Sequence, residues 1–464
     1  MMRRPVTCLI GLGTLLVAGC APYGSGASDD ATLFTGGLLI LGNGGVIEDG
    51  AMLVDRGRIQ RVGASSRLAA PPGATVVDLG GKTVIPALID AHAHLGYEGY
   101  TGWGADHYSR DNVIDHLRRY AYYGFGAVFS AGTDPDDLAV GLQRDQAMGF
   151  YGGARFLFAA GMGPPGQGPN DQFLTHALAV ARQTDMAVLR GVSRPEEARA
   201  AVRQIAAKGI HFVKIWVDDR GGSQERLHPL LYRAITAEAR TRRLEVVVHQ
   251  QSAEDMPDLL DAGVAGFLHG RIGPALDDAL AARIHRSGAF LVPNLGLGEL
   301  RGERVADDAF LQETLPPEVV TRLGAAYDAR PRGGGSTAAA GEREQALREG
   351  FMRLVDADVD ILLGTDAGAV PDHFFGYTGH RELEIFVRLG MTPMQALIAA
   401  TSRPAARLGL ADMGSLAAGK SADFVILGAN PLDEIRNTRS IERVFLRGDE
   451  VDRSLLRRDW TGGG

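Results

Sequence analysis

Apolar and polar residues alternate in short runs cut by glycine from residue 31 to about residue 81, as in Gly50-Ala51-Met52-Leu53-Val54-Asp55-Arg56-Gly57-Arg58-Ile59-Gln60-Arg61-Val62. A period of two predicts antiparallel strands and hairpins. The same texture returns between about residues 410 and 451, in Ala422-Asp423-Phe424-Val425-Ile426-Leu427 and Ile441-Glu442-Arg443-Val444-Phe445-Leu446. Between these ends the pattern changes. Short apolar runs bounded by turn residues alternate with stretches of helical spacing such as residues 195–207 and 227–242. Such runs read as strands buried on both faces, and their alternation with helices predicts an α/β fold, a parallel (β/α) barrel. No internal repeat points to a solenoid.

Several of these apolar runs end in residues that can hold a metal ion. Val84-Ile85-Pro86-Ala87-Leu88-Ile89-Asp90-Ala91-His92-Ala93-His94 closes on two histidines one residue apart, which a strand presents on one face. Leu244-Glu245-Val246-Val247-Val248 runs into His249, Gly266-Phe267-Leu268 into His269, and Val359-Asp360-Ile361-Leu362-Leu363-Gly364-Thr365 into Asp366. In a parallel barrel those C-terminal ends converge on one face. Gly209-Ile210-His211-Phe212-Val213-Lys214-Ile215-Trp216-Val217 places a lysine inside an apolar strand, where an ammonium is costly unless paired or neutralised. Carboxylation by carbon dioxide is one way to change its charge; a salt bridge or snorkelling is the other.

The order His-x-His, Lys, His, His, Asp along successive strands resembles the amidohydrolase superfamily, and within it the imidazolonepropionase-like and prolidase-like group. The resemblance extends through Gly364-Thr365-Asp366-Ala367-Gly368, Gly390-Met391-Thr392-Pro393-Met394-Gln395-Ala396-Leu397 and Gly414-Ser415-Leu416-Ala417-Ala418-Gly419-Lys420-Ser421-Ala422-Asp423, covering roughly residues 31 to 456. Ala87 stands where the group usually has glycine. The resemblance implies a (β/α)8 TIM barrel over residues 86–407, beside a small β-sandwich built from both chain ends, residues 31–85 and 408–456. It implies two divalent cations, zinc being the ion expected for such ligands. His92, His94 and Asp366 would hold one, His249 and His269 the other, with a carbamate on Lys214 bridging both. Two cations sharing a water bring its pKa from about 15.7 toward 7, and Asp366 would then move the proton to the departing nitrogen. The implied reaction is hydrolysis of an amide, in a dipeptide or an N-acyl amino acid. The alternatives are a cyclic amide or lactone hydrolase, or a non-catalytic metal- or solute-binding protein.

The N-terminus changes the expected location. Met1-Met2-Arg3-Arg4 is basic, residues 6–18 are almost wholly apolar, and Val17-Ala18-Gly19-Cys20 ends in small residues before a cysteine. The apolar run is shorter than the ~20 residues that span a bilayer, so a cleaved signal is expected, not a transmembrane helix. The ending resembles a bacterial lipoprotein signal over residues 1–19. It implies lipidation of Cys20, a flexible tether over residues 20–30, and a lipid-anchored protein in the cell envelope, at the outer membrane facing the periplasm, since Ala21 and not aspartate follows Cys20. The membrane contact is expected through that anchor alone. Cys8 and Cys20 are the only cysteines, so the mature chain has no thiol pair to oxidise. A net charge of -8 leaves no basic footprint for nucleic acid, and the expected partner is a small-molecule or peptide substrate. Oligomeric state is left open.

Strand seven is expected at residues 289–293 and strand eight from about Val359. The long stretch between them contains Arg332-Gly333-Gly334-Gly335-Ser336-Thr337, expected as a mobile loop that belongs either to a lid or to a plain surface insertion. Arg271, Asn294, Tyr377 and His380 follow strands six, seven and eight and are expected to contact substrate. His107, His116, His176, His228 and His285 are expected at the surface, and His211 on the side opposite Lys214.

Overall fold

The computed structural model describes residues 31–270, 272–273, 275–330 and 337–462. The leader, the tether with Cys20, Arg271 and residues 332–336 of the expected lid therefore lie outside the described residues.

Eight parallel strands form the central sheet: β1 (Leu88–Ala93), β2 (Phe125–Ala131), β3 (Arg155–Gly163), β4 (Phe212–Val217), β5 (Glu245–Gln250), β6 (Gly266–Leu268), β7 (Phe290–Val292) and β8 (Asp360–Ile361). Each pairs with the next in sequence order, and a short strand, Leu189–Gly191, pairs with β3 outside this path. The two ends of the sheet meet: Ala91 N–H donates to Leu363 O at 2.9 Å, Asp366 N–H to His92 O at 2.7 Å, and His94 N–H to Ala367 O at 2.8 Å. The arrangement is that of a TIM-like barrel.

Alternation sorts the strand residues. Val213 and Ile215 of β4 join the large core beneath the outer helices, while Phe212 joins an inner cluster with Ile89, Phe129, Val247, Leu268, Val292 and Leu362. Lys214 and Trp216 share the register of Phe212 and so enter the barrel. The helices between strands follow the expected spacing. Pro195–Ala207 and Pro229–Arg242 each open on proline, whose missing N–H costs nothing in the first turn, and each buries one apolar stripe.

The alternating ends of the chain build a second sheet. Thr32–Ile40 pairs with Val46–Asp55, with Thr75–Asp78 and with Thr83–Pro86, and Thr83–Pro86 pairs in turn with Phe424–Leu427 near the C-terminus. Pairing is continuous, so these strands are one mixed sheet. It folds over where Thr32–Ile40 bends at Gly36 (φ +86) and changes partner, and Phe34 packs edge-on against Phe424 and Phe445 inside the fold. Thr83–Pro86 leads directly into β1, tying this sheet to the strand that carries the first two histidines.

Most of the stretch between β7 and β8 is helical, in Gly296–Glu299, Ala309–Gln312, Pro317–Asp328 and Thr337–Asp356.

Candidate metal centre and its pocket

His92 and His94 leave β1 with their rings 5.3 Å apart, both buried. Nδ1 of His92 lies 2.9 Å from the acceptor Asn294 Oδ1, which fixes the ring proton on Nδ1 and leaves the Nε2 lone pair free. Nδ1 of His94 is held by Thr133 Oγ1 at 2.8 Å. The two Nε2 atoms face one carboxylate oxygen, Asp366 Oδ1, at 3.3 and 3.1 Å. His92 Nε2 and Asp366 Oδ1 are buried without any hydrogen-bond partner. Buried polar atoms are ordinarily satisfied, so these two orphaned atoms beside His94 Nε2 fit a cation, and the three side chains offer ligand atoms within 4.8 Å of one another.

Electrostatics supply the right protonation states. Burial pushes the pKa of His92, His94, His249 and His269 down, to about 4 for His269, so all four rings are neutral ligands at pH 7. Burial works against ionisation of Asp366, yet the rings of His269, His92 and His94 hold its pKa well below the ordinary carboxylate range. Lys214 is buried, and its pKa is pushed down to about 7 by burial. No carboxylate lies within ion-pair distance of Lys214 among the described residues.

His269, at the end of β6, brings Nε2 to 3.5 Å from Asp366 Oδ2, and its ring lies 4.7 Å from that of His249. His249 itself is already engaged. Nη1 of Arg220 lies 2.9 Å from His249 Nε2 and 2.8 Å from Asp218 Oδ2. A cation between His249 and His269 would require Arg220 to swing aside. The fit is thus complete for one ion at His92, His94 and Asp366 and conditional for a second.

Three residues here hold a left-handed backbone: His269 (φ 76), Asn294 (φ 52) and Asp366 (φ 59). Such conformations cost roughly 1–3 kcal/mol each in a non-glycine residue and persist where surrounding contacts enforce them. Asp90 supplies much of that enforcement around β8. Its Oδ1 accepts from His92 N–H and Thr365 N–H, and its Oδ2 from Tyr120 and Thr365 hydroxyls. Glu382 does the same after β7, accepting Leu295 N–H at 2.8 Å and Gly296 N–H at 2.7 Å. Sequence reasoning missed Asp90, Thr133 and Glu382; only Asp90, two residues before His92, carried a local signal.

The centre floors a cavity of about 450 Å³ that Lys214, Arg220, His249, Asn294, Arg301 and Asp366 help to line. Of the expected substrate contacts, Asn294 lines it but acts on His92. Tyr377 and His380 do not line it. They belong to the helix Tyr377–Arg388, where Tyr377 donates to Asp308 and His380 is held by Thr438 Oγ1 and Tyr123 O, so their role is to pack that helix. His116, expected at the surface, is fully buried, because the loop 96–98 covers its helix; it accepts from Gly96 N–H and meets Glu98 O. His228, His285 and His211 are exposed, and His107 and His176 are half-buried.

The amidohydrolase family model matches residues 83–451. An imidazolonepropionase of Streptomyces griseus is 26% identical over 410 residues, spanning 84% of this chain and 89% of that protein. A structure described as a prolidase from Bifidobacterium longum is 26% identical, covers 93% of this chain and 99% of its own, and superimposes with a TM-score of 0.67. A Xaa-Pro dipeptidase structure with bound methionine shares the fold at a TM-score of 0.68 and 24% identity, over 91% of this chain and 99% of that one.

Proposed function

The chain belongs to the amidohydrolase family and is a hydrolase of carbon–nitrogen bonds, and on that premise we propose that it cleaves the amide of a dipeptide or an N-acyl amino acid. The observation that carries the reading is the convergence of His92 Nε2, His94 Nε2 and Asp366 Oδ1, the first and last of them without a hydrogen-bond partner, at the floor of an open cavity. A divalent cation held there would polarise the scissile carbonyl and acidify a water, to a pKa near 7 for zinc. The remaining steps belong to the chain. Asn294 keeps His92 in its ligating tautomer. Asp366, kept ionised, accepts the proton of the attacking water and returns it to the departing nitrogen. Lys214, with its pKa lowered by burial to about 7, has a substantial neutral fraction near pH 7, the nucleophilic form that takes up carbon dioxide, and as a carbamate it would join the two halves of the centre.

The Bifidobacterium longum relative supports a linear peptide bond as substrate, and the Streptomyces griseus relative supports a cyclic amide as the second reading. Elemental analysis per chain, followed by a panel of dipeptides, N-acyl amino acids, imidazolones and lactones, separates them. Two metal equivalents and turnover of the linear amides are expected. Turnover of cyclic substrates alone would replace the proposal with the second reading, and a single equivalent would remove the lysine bridge.

A further inference from the structure

Charge around the cavity is lopsided. Although the chain carries -8 overall, the cavity is lined by Arg220 and Arg301 and by one carboxylate, that of Asp366, already committed to the centre. Arg220 is the balanced member, since Nη1 meets Asp218 Oδ2 at 2.8 Å and Nη2 donates to Gly168 O at 3.1 Å.

Arg301 is different. It stands on the turn Leu300–Gly302 of the β7 loop, at the outer wall of the cavity. Its nearest acids in sequence are taken by other arginines: Glu299 pairs with Arg388 and Glu303 with Arg381. Arg304 and Arg322, from the same region, pair with Asp307 and Asp372. Among the described residues no carboxylate pairs with Arg301. Arg301 is exposed, and it lines a neighbouring recess together with His373, whose Nε2 lies 2.9 Å from the carbonyl of Thr365, next to Asp366. The loop that carries Arg301 begins at Asn294, the partner of His92, and is pinned at Leu295 and Gly296 by Glu382.

Building on the amide-hydrolase reading, we propose that Arg301 is the specificity-determining residue that binds the free carboxylate of the substrate. The substrate then presents its amide to the floor and the acid of its amino-acid half to the outer wall. A guanidinium suits this task because it binds a carboxylate through two parallel N–H donors. It follows that the enzyme prefers N-acyl amino acids and dipeptides over the same compounds with an amidated C-terminus.

The test pairs Arg301→Ala and Arg301→Lys with acid and carboxamide forms of one substrate, on the metal-loaded protein. Loss of one charge-assisted bidentate contact lowers kcat/KM for the acid form about 10- to 100-fold, mainly through KM, and leaves the carboxamide unchanged. Lysine recovers part of the loss. In parallel, calorimetry measures binding of a reduced-amide dipeptide analogue, which cannot be hydrolysed, in its acid and carboxamide forms. If neither substrate form is turned over but the acid analogue still binds through Arg301, the amide-hydrolase reading falls and the carboxylate anchor stands. If wild-type protein binds or hydrolyses both forms equally and Arg301→Ala changes neither, the anchor is overturned.

Discussion

At the scale of single residues, the centre depends on the side chains that hold its ligands as well as on the ligands themselves. Removing the Asn294 amide leaves His92 Nδ1 without its acceptor. Asn294→Ala is expected to weaken metal binding about 10- to 100-fold, measurable by competition with a chelator. Asp366→Asn should lower kcat by about 10²–10⁴-fold while metal content falls much less, because the amide oxygen still ligates but carries no proton. Lys214→Ala should lose one metal equivalent and regain part of its activity with short-chain acids; full activity with both metals would end the bridge. The His92, His94 and Asp366 group was legible in sequence because these residues stand at the ends of apolar runs, and strand alternation gives such a position a direction. Their supporters were not. Asn294 stands 202 residues from His92, and Asp90 stands 275 from Thr365, distances that no local pattern encodes. His116 was misread for the same reason, since a histidine in a helical pattern looks like a surface residue until a distant loop covers it.

At the scale of elements, the decisive contact lies between the helix Tyr377–Arg388 and the loop after β7. Glu382 is fully buried, its pKa is raised to about 8 by burial, and both oxygens accept backbone N–H groups of that loop. Glu382→Gln places an NH2 against an N–H and should cost about 1–3 kcal/mol in chemical denaturation, with a higher KM because the loop lines the cavity. The same helix holds a second buried group. Burial pushes the His380 pKa down to about 3, so the folded state keeps it neutral while the unfolded chain protonates it below about 6.5. Its share of stability is therefore present above pH 6.5 and lost as pH falls from 6.5 toward 3. His380→Gln should flatten that acid limb by an amount on the order of a few kcal/mol, read from denaturation midpoints at pH 7 and pH 4. Element types were readable from period and spacing, as in Pro195–Ala207 and Gly266–Leu268. The start of Tyr377–Arg388 was not, because glycine at 376 resembles the punctuation of a loop and the helix is defined by what it packs against.

At the scale of the whole molecule, two readings remain to be joined, a hydrolase and an envelope anchor. Among the described residues no helix is long and apolar enough to cross a membrane. If Cys20 carries lipid, Cys20→Ser should move the protein from the membrane to the soluble fraction of the envelope without changing kcat, since the cavity lies wholly within residues 94–370. The folded-over sheet has a consequence for how the molecule is made. Phe424 pairs with Pro86, and Ile426 with Val84, so the strand feeding the first two histidines, paired on one edge with Thr32–Ile40, finds its second partner only when synthesis is almost complete. Contacts so far apart in sequence form slowly and late. A chain cut short before residue 424 would keep every ligand and still leave the strand beneath His92 with an open edge, so metal capture should mark the last stage of maturation.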